Sequence, residues 1–131
     1  MALLLDTHFA FALAGAPIWI SRREEEFLAA HPDPFVVSAV SLWEMRLKWN
    51  SYTRDGERRG PTNPQTALAF LQTLNVELLP LSPRHAAARL ETPLPHKDPF
   101  DELLLVQAQV EGHRLLTRDK LLKQHPLAHA I

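Results

Sequence analysis

His96-Lys97-Asp98-Pro99-Phe100-Asp101-Glu102-Leu103-Leu104-Leu105-Val106-Gln107-Ala108-Gln109 is the stretch on which the reading of this chain turns. Asp98 suits a helix N-cap, Pro99 suits the first helical position, and Asp101 falls three residues after the cap. The run Leu103 to Val106 is apolar on nearly every side, which predicts a helix packed against several neighbours. Its first turn nevertheless holds Asp98, Asp101 and Glu102, and charges beside a core are costly unless something neutralises them. Two readings stand side by side. Either the three carboxylates cap the helix and complement its dipole, worth about 1 kcal/mol or less each, or they belong to a site.

Outward from this helix the chain alternates strands and helices. Gly112 reads as a helix stop, followed by a strand over His113-Arg114-Leu115-Leu116-Thr117. Asp119 comes directly after it, in a short helix predicted to about Gln124, and Leu127 to Ile131 reads as a fifth strand. At the other end, Leu3-Leu4-Leu5 is a short apolar run of the kind buried in parallel sheets. Asp6 closes it, and a helix follows over Thr7 to Ala14, stopped by Gly15. Ser21 caps a helix to about Ala30, whose Glu24, Glu25 and Glu26 read as a solvated face near an N-terminus. Phe35 to Ser38 is the second strand. Ser41 and Glu44 have capping-box spacing for a helix to about Asn50. The polar segment from Ser51 to Asn63 reads as a mobile loop. A helix to Leu74, a strand over Val76 to Leu79 and a short helix from Ser82-Pro83 to about Leu90 complete the pattern. Such alternation predicts an α/β fold with a mainly parallel sheet covered on both faces, and ligands bind outside the carboxyl ends of its strands.

The 131 residues suit one domain, residues 1–131, with one well-buried core. A net charge of −1 gives no global field for a polyanion, so such a partner must meet a local basic patch or metal ions. The chain has no cysteine, hence no disulfide framework and no thiolate ligand or nucleophile. The apolar run Ala2 to Leu5 is too short for a signal peptide or a membrane span, so the expectation is a soluble, cytoplasmic protein with no membrane role. The 11 prolines fall mostly where elements begin or end.

Asp6, Glu44, Asp101 and Asp119 each have a purely structural reading as caps or dipole partners. Taken together they lie at strand ends or in the turn just beyond, and the topology delivers all four to one edge of the sheet. Carboxylates a few Å apart repel by roughly 4 kcal/mol at an effective dielectric of about 20. A hard divalent cation relieves that repulsion, and all-oxygen ligation suits Mg²⁺ or Mn²⁺ rather than zinc.

Four ordered blocks carry a family resemblance: Leu4-Leu5-Asp6-Thr7-His8, Val37-Ser38-Ala39-Val40-Ser41-Leu42-Trp43-Glu44, His96 to Leu104, and Leu115-Leu116-Thr117-Arg118-Asp119. In them the chain resembles PIN-domain ribonucleases, and within these it is most similar to VapC-type toxins of bacterial toxin–antitoxin systems. The resemblance implies a three-layer α/β/α sandwich and a Mg²⁺/Mn²⁺-dependent RNA endonuclease. It also implies a homodimer inhibited by a VapB-type antitoxin. Asp6, Glu44 and Asp101 match the core acidic residues and Asp119 the fourth, more variable one, making these the expected metal-binding and catalytic set. Asp98, Ser41 and Thr117 are candidates for supporting them. The 51–63 insertion, and the alanine and phenylalanine after His8, depart from the family's pattern and bear on RNA choice and on partner surfaces.

The metal reading needs no histidine as nucleophile or base, because a bound ion can lower the pKa of its own water. His8 reads as a packing or hydrogen-bonding residue and His96 as a loop histidine. Arg46, Lys48, Arg54, Arg58 and Arg59 form either a solvated face or a phosphate-contacting patch. Trp43 and Trp49 read as core, and Trp19 as an interface residue. Two other classes remain open. A phosphatase or phosphotransferase on a similar sheet places a second aspartate two residues after the first, where this chain has His8. A non-catalytic module with this fold predicts loss of an acidic position.

Overall fold

The computed structural model describes residues 2–131. Five short strands, β1 (Leu3–Leu5), β2 (Val36–Ser38), β3 (Glu77–Leu79), β4 (Arg114–Leu116) and β5 (Ala128–His129), form one sheet in the order β3-β2-β1-β4-β5. Every neighbouring pair is parallel. Between them run α1 (Thr7–Leu13), α2 (Arg22–Ala30), α3 (Ala39–Trp49), α4 (Pro64–Leu71), α5 (Pro83–Ala87) and α6 (Pro99–Glu111).

The strands alternate in which face they bury, because successive side chains point to opposite sides of a sheet. Leu3, Leu5, Val37 and Leu116 pack with Phe9, Phe11, Met45 and Leu71 on one face. Leu4, Val36 and Leu115 pack with Leu104, Leu105, Val106 and Leu122 on the other. Both faces are therefore covered, giving the three-layer α/β/α sandwich the sequence predicts. From β1 the chain moves outward through β2 to β3, then returns to place β4 on the other side of β1. The switch point between β1 and β4 is where such sheets open a crevice.

Local chemistry sets the helix starts. Asp6 caps α1 by accepting from Phe9 N–H, and Asp98 caps α6 by accepting from Phe100 and Asp101 N–H. Gly112 ends α6 in a left-handed conformation, φ 71°. Ser21 caps α2 in a full capping box with Glu24. Ser38, not Ser41, caps α3, with its Oγ accepting from Val40 N–H at 2.9 Å. β2 runs into α3 with no connecting residue, so the cap is the last residue of the strand and Ser41 is buried inside the first turn.

Four further expectations are corrected. Asp119 opens a hydrogen-bonded turn rather than a helix, with Leu122 and Lys123 N–H both donating to its carbonyl. Glu24 is buried, not part of a solvated face, because Arg118 reaches it at 3.1 Å. Trp43 is 44% exposed and lies against Phe100, since the apolar side of α3 is taken by Val40 and Met45. Segment 51–63 is a tied hairpin rather than a free loop: Thr53 N–H donates to Glu57, Arg59 N–H to Ser51 and Gly60 N–H to Lys48. A Cβ on Gly60 would stand 2.6 Å from the Trp49 nitrogen, so its root requires glycine. At its tip Gly56 has φ 84° and open space around it.

A second polar cluster binds helices together away from the crevice. Ser38 Oγ donates to Gln107 Oε1, and Gln107 Nε2 donates to the Pro80 carbonyl at 3.3 Å. His85 Nδ1 accepts from Ser82 N–H at 3.0 Å, which leaves Nε2 to donate to Glu111 at 2.8 Å. No described helix is long and apolar enough to cross a membrane.

Candidate active site

The crevice at the carboxyl edge of β1 and β4 is a cavity of about 780 Å³, and Asp6, Glu44, Asp101 and Asp119 all line it. Each arrives by a different route. Asp6 follows β1 and is pinned by its own N–H, which donates to the Leu116 carbonyl of β4 at 3.0 Å. Asp119 follows β4, Glu44 sits in the second turn of α3, and Asp101 projects from the first turn of α6. Asp98 also lines the cavity while its Oδ1 caps α6.

Each carboxylate is held by a protein partner. Thr7 donates to Glu44 Oε1 at 2.6 Å and stands 3.2 Å from the buried Ser41 Oγ. Lys48 Nζ lies 3.1 Å from Glu44 Oε2. His96 Nε2 is 3.1 Å from Asp101 Oδ2. Asp119 Oδ1 accepts from Leu121 N–H, and Thr117 Oγ1 accepts from Asp119 N–H at 3.0 Å. Among the described residues no three acidic or imidazole side chains yet stand close enough to share an ion.

Burial pushes the Asp6 carboxyl up to about 6, with Asp101 and Asp119 raising it further against hydrogen bonds from Thr117 and Phe9. Asp101 is also raised, first by burial and then by Asp98 and Asp119, although His96 opposes this. The site is short of positive charge. An all-oxygen donor set with that deficit fits a hard divalent cation.

The basic candidates do not act as one patch. Lys48 and Arg59 line the cavity, but Arg46 lines a separate apolar groove beside Trp43. Arg58 lies over Trp49 at 4.2 Å and Tyr52 at 5.0 Å and donates to the Trp49 carbonyl, so it fastens the hairpin. Arg54 is exposed near the hairpin tip.

Two residues gain a place that the sequence did not assign. His96 is fixed on Asp101. Arg118, inside the fourth motif block, ties three elements: its Nε meets Glu24, its guanidinium lies 4.9 Å over the Trp19 ring, and Nη1 is 3.1 Å from His8 Nε2. Burial, then the Arg118 and Lys48 charges, lower the His8 pKa against the Trp19 carbonyl and Glu24. His8 is therefore a hydrogen-bonding residue, as read from the sequence. Only spatial proximity reveals these links, since Arg118 and Glu24 are far apart along the chain.

Comparison with known proteins gives a consistent picture. The family model for the PIN domain matches residues 3–126. Ribonuclease VapC22 of Mycobacterium tuberculosis is 30% identical over 125 residues, which cover 93% of this chain and 90% of that protein. Among solved structures, VapBC2 from Rickettsia felis bound to a DNA fragment from their promoter superposes with a TM-score of 0.63 at 18% identity, covering 100% of this chain and 98% of that one. DNA-bound VapBC from Salmonella typhimurium gives 0.58 at 17% identity, with coverages of 100% and 97%. A toxin–antitoxin complex from Klebsiella pneumoniae gives 0.57 at 21% identity, with coverages of 98% and 96%. At these identities the structural likenesses speak for the fold.

Proposed function

The chain belongs to the PIN domain family, and on that premise we propose that it is a divalent-metal-dependent RNA endonuclease, the toxin of a VapBC-type pair. The observation that carries the reading is the cavity itself. Four carboxylates from four separate segments line it, and one of them is pushed up to about 6 by burial and by its neighbours. Helix capping alone gives no reason for that convergence. Neither competing reading gains support: no acidic position is lost, as a binding module predicts, and His8 makes hydrogen bonds where a phosphotransferase places its second aspartate.

Asp6, Glu44, Asp101 and Asp119 are the residues that would hold Mg²⁺ or Mn²⁺. When bound, such an ion supplies an ionised water at neutral pH and charge stabilisation at the phosphodiester. The remaining roles belong to the chain. Thr7, backed by Ser41, orients Glu44, and His96 orients Asp101. Thr117 braces the turn that carries Asp119 and lowers the pKa of Asp6. Asp98 is assigned to capping. Lys48 and Arg59 flank the cavity where an RNA phosphate enters, while Arg46, Arg54 and Arg58 have weaker claims on RNA. Inhibition by a VapB-type antitoxin follows the same electrostatics, since an inserted arginine would neutralise the carboxylates through charge-assisted hydrogen bonds. A homodimer acting in the cytoplasm completes the proposal.

The test is cleavage of an RNA hairpin by purified protein with Mn²⁺, with Mg²⁺, and with excess EDTA. Activity with metal and none with chelator supports the reading. Undiminished cleavage in chelator removes the metal mechanism, and no cleavage of any RNA with either metal removes the nuclease.

A further inference from the structure

Beside the carboxylate cavity lies a smaller one of about 280 Å³, at the N-terminus of α2 and the turn after β4. Its charged side chains are Arg23, Arg118, Lys120 and Lys123 against Glu24, and Ile131 completes the wall. That acid is already engaged: Oε1 accepts from Ser21 N–H at 2.8 Å and Oε2 meets Arg118. Burial pushes its pKa up, but the Ser21 bonds and the Arg118 charge outweigh this and hold it below the usual range. Arg23, Lys120 and Lys123 have no carboxylate within ion-pairing distance among the described residues. Three exposed cations without an ion-pair partner therefore border one concavity.

We propose that this corner is a second phosphate subsite for the RNA backbone; the proposal rests on the nuclease reading above. Contiguity with the reaction site favours RNA over other anions, because Arg118 lines both cavities and Thr117 to Asp119 form the wall between them. Lys48 and Arg59 line the carboxylate cavity and are not part of the smaller one. A strand entering past Lys48 and Arg59 crosses the carboxylates and leaves over Arg23, Lys120 and Lys123. Its scissile phosphate then lies between two basic flanks, which hold it against the repulsion of the acidic centre. Concave positive surfaces focus field in this way, and each phosphate contact releases condensed counterions.

The experiment uses the full chain and a non-cleavable 2′-O-methyl RNA hairpin in Mn²⁺, with binding followed by fluorescence anisotropy across a salt series. The triple variant Arg23→Ala, Lys120→Ala, Lys123→Ala changes exposed side chains only. Its melting temperature, measured alongside, shows that it folds. The log–log salt slope should fall by about 2, from roughly 0.7 per lost single-strand contact, and affinity should drop about tenfold or more. With cleavable RNA, KM should rise by a similar factor and kcat stay within about twofold, as for a contact made equally in ground and transition states. Arg114→Ala, at the opposite end of β4, is the control and should leave the slope unchanged. A triple variant with wild-type affinity and slope overturns the subsite while normal cleavage leaves the nuclease reading standing. A wild-type protein that neither binds nor cleaves RNA overturns both. An acidic peptide bound at this corner more tightly than the hairpin reassigns it to a protein partner and overturns the proposal.

Discussion

The carboxylate cavity and the cluster around Gln107 are both mounted on α3 and α6, and both bury polar atoms beside the same core. In the Gln107 cluster the account closes. Ser38 and the Pro80 carbonyl find the two ends of one amide, and His85 is fixed in a single tautomer between Ser82 and Glu111. In the cavity it does not close, since Asp6 and Asp101 keep raised pKa values despite the hydrogen bonds around them. A satisfied polar cluster fixes the register of two helices. An unsatisfied one is a standing demand for a ligand. Mutations should therefore trade activity against stability in opposite ways in the two regions.

The largest effect is expected at Asp101. On the proposed reading Asp101→Asn removes a charged ligand, and losing about 4 kcal/mol of transition-state stabilisation should lower cleavage roughly a thousandfold. Stability without metal should hold or rise, because a repulsive charge is gone. Single-turnover cleavage beside a thermal melt reads both, and an active Asp101→Asn protein would break the contrast. Asp98→Asn, its neighbour in the same turn, keeps the capping oxygen. It should retain partial activity and melt close to wild type, so a fully inactive Asp98→Asn would exchange the two assignments.

Next comes Asp6, where the sign can be worked out. Its folded pKa is about 6 against an ordinary 3.8. Between those values the folded state binds the proton more tightly, so stability falls as pH rises from about 4 through 6 and the deficit persists above. The full shift is worth at most about 3 kcal/mol. Asp6→Asn keeps the cap on α1 and should stabilise the metal-free protein at pH 7 but not at pH 4. Urea denaturation at the two pH values measures this, and an equal effect at both would show that burial of Asp6 costs nothing.

The smallest effect sharpens the other side. Gln107→Leu strands the Ser38 hydroxyl and the Pro80 carbonyl, at a cost of about 2 kcal/mol. Cleavage per folded molecule should stay within a few-fold of wild type. A Gln107→Leu protein as stable as wild type would mean that this cluster contributes nothing to the fold.

Most of the architecture was legible because its signals are local. Leu3–Leu5 and Val36–Val37 are strands too short and too apolar for anything but the middle of a covered sheet. Asp98-Pro99 and Gly112 bracket α6 by chemistry that acts within one turn. Asp6 and Asp119 were legible because topology sends strand ends to one edge, whereas Glu44 and Asp101, which sit on helices, were carried by the motif blocks. What escaped depends on contacts across the fold. Ser41 and Glu44 have the spacing of a capping box, but the true cap, Ser38, is also the end of a strand, and periodicity cannot show one residue in both roles. Glu24 resembled its exposed neighbours until Arg118, remote in sequence, came to meet it. Trp43 reads as core by hydrophobicity, yet the buried positions of α3 go to Val40, Ser41 and Met45.

The glycine at the root of the 51–63 hairpin has an evolutionary consequence. Gly60 presses against the backbone of Trp49 and admits no side chain, whereas Gly56 at the tip has open space on every side. The tip can therefore change in length without disturbing the end of α3, although Gly56 itself, at φ 84°, favours glycine, while the root stays fixed. A hairpin of this design lets a lineage vary its tip while leaving the machinery below inherited unaltered. It also makes the tip near Asp55 and Gly56 the natural place to graft an epitope or a foreign recognition loop.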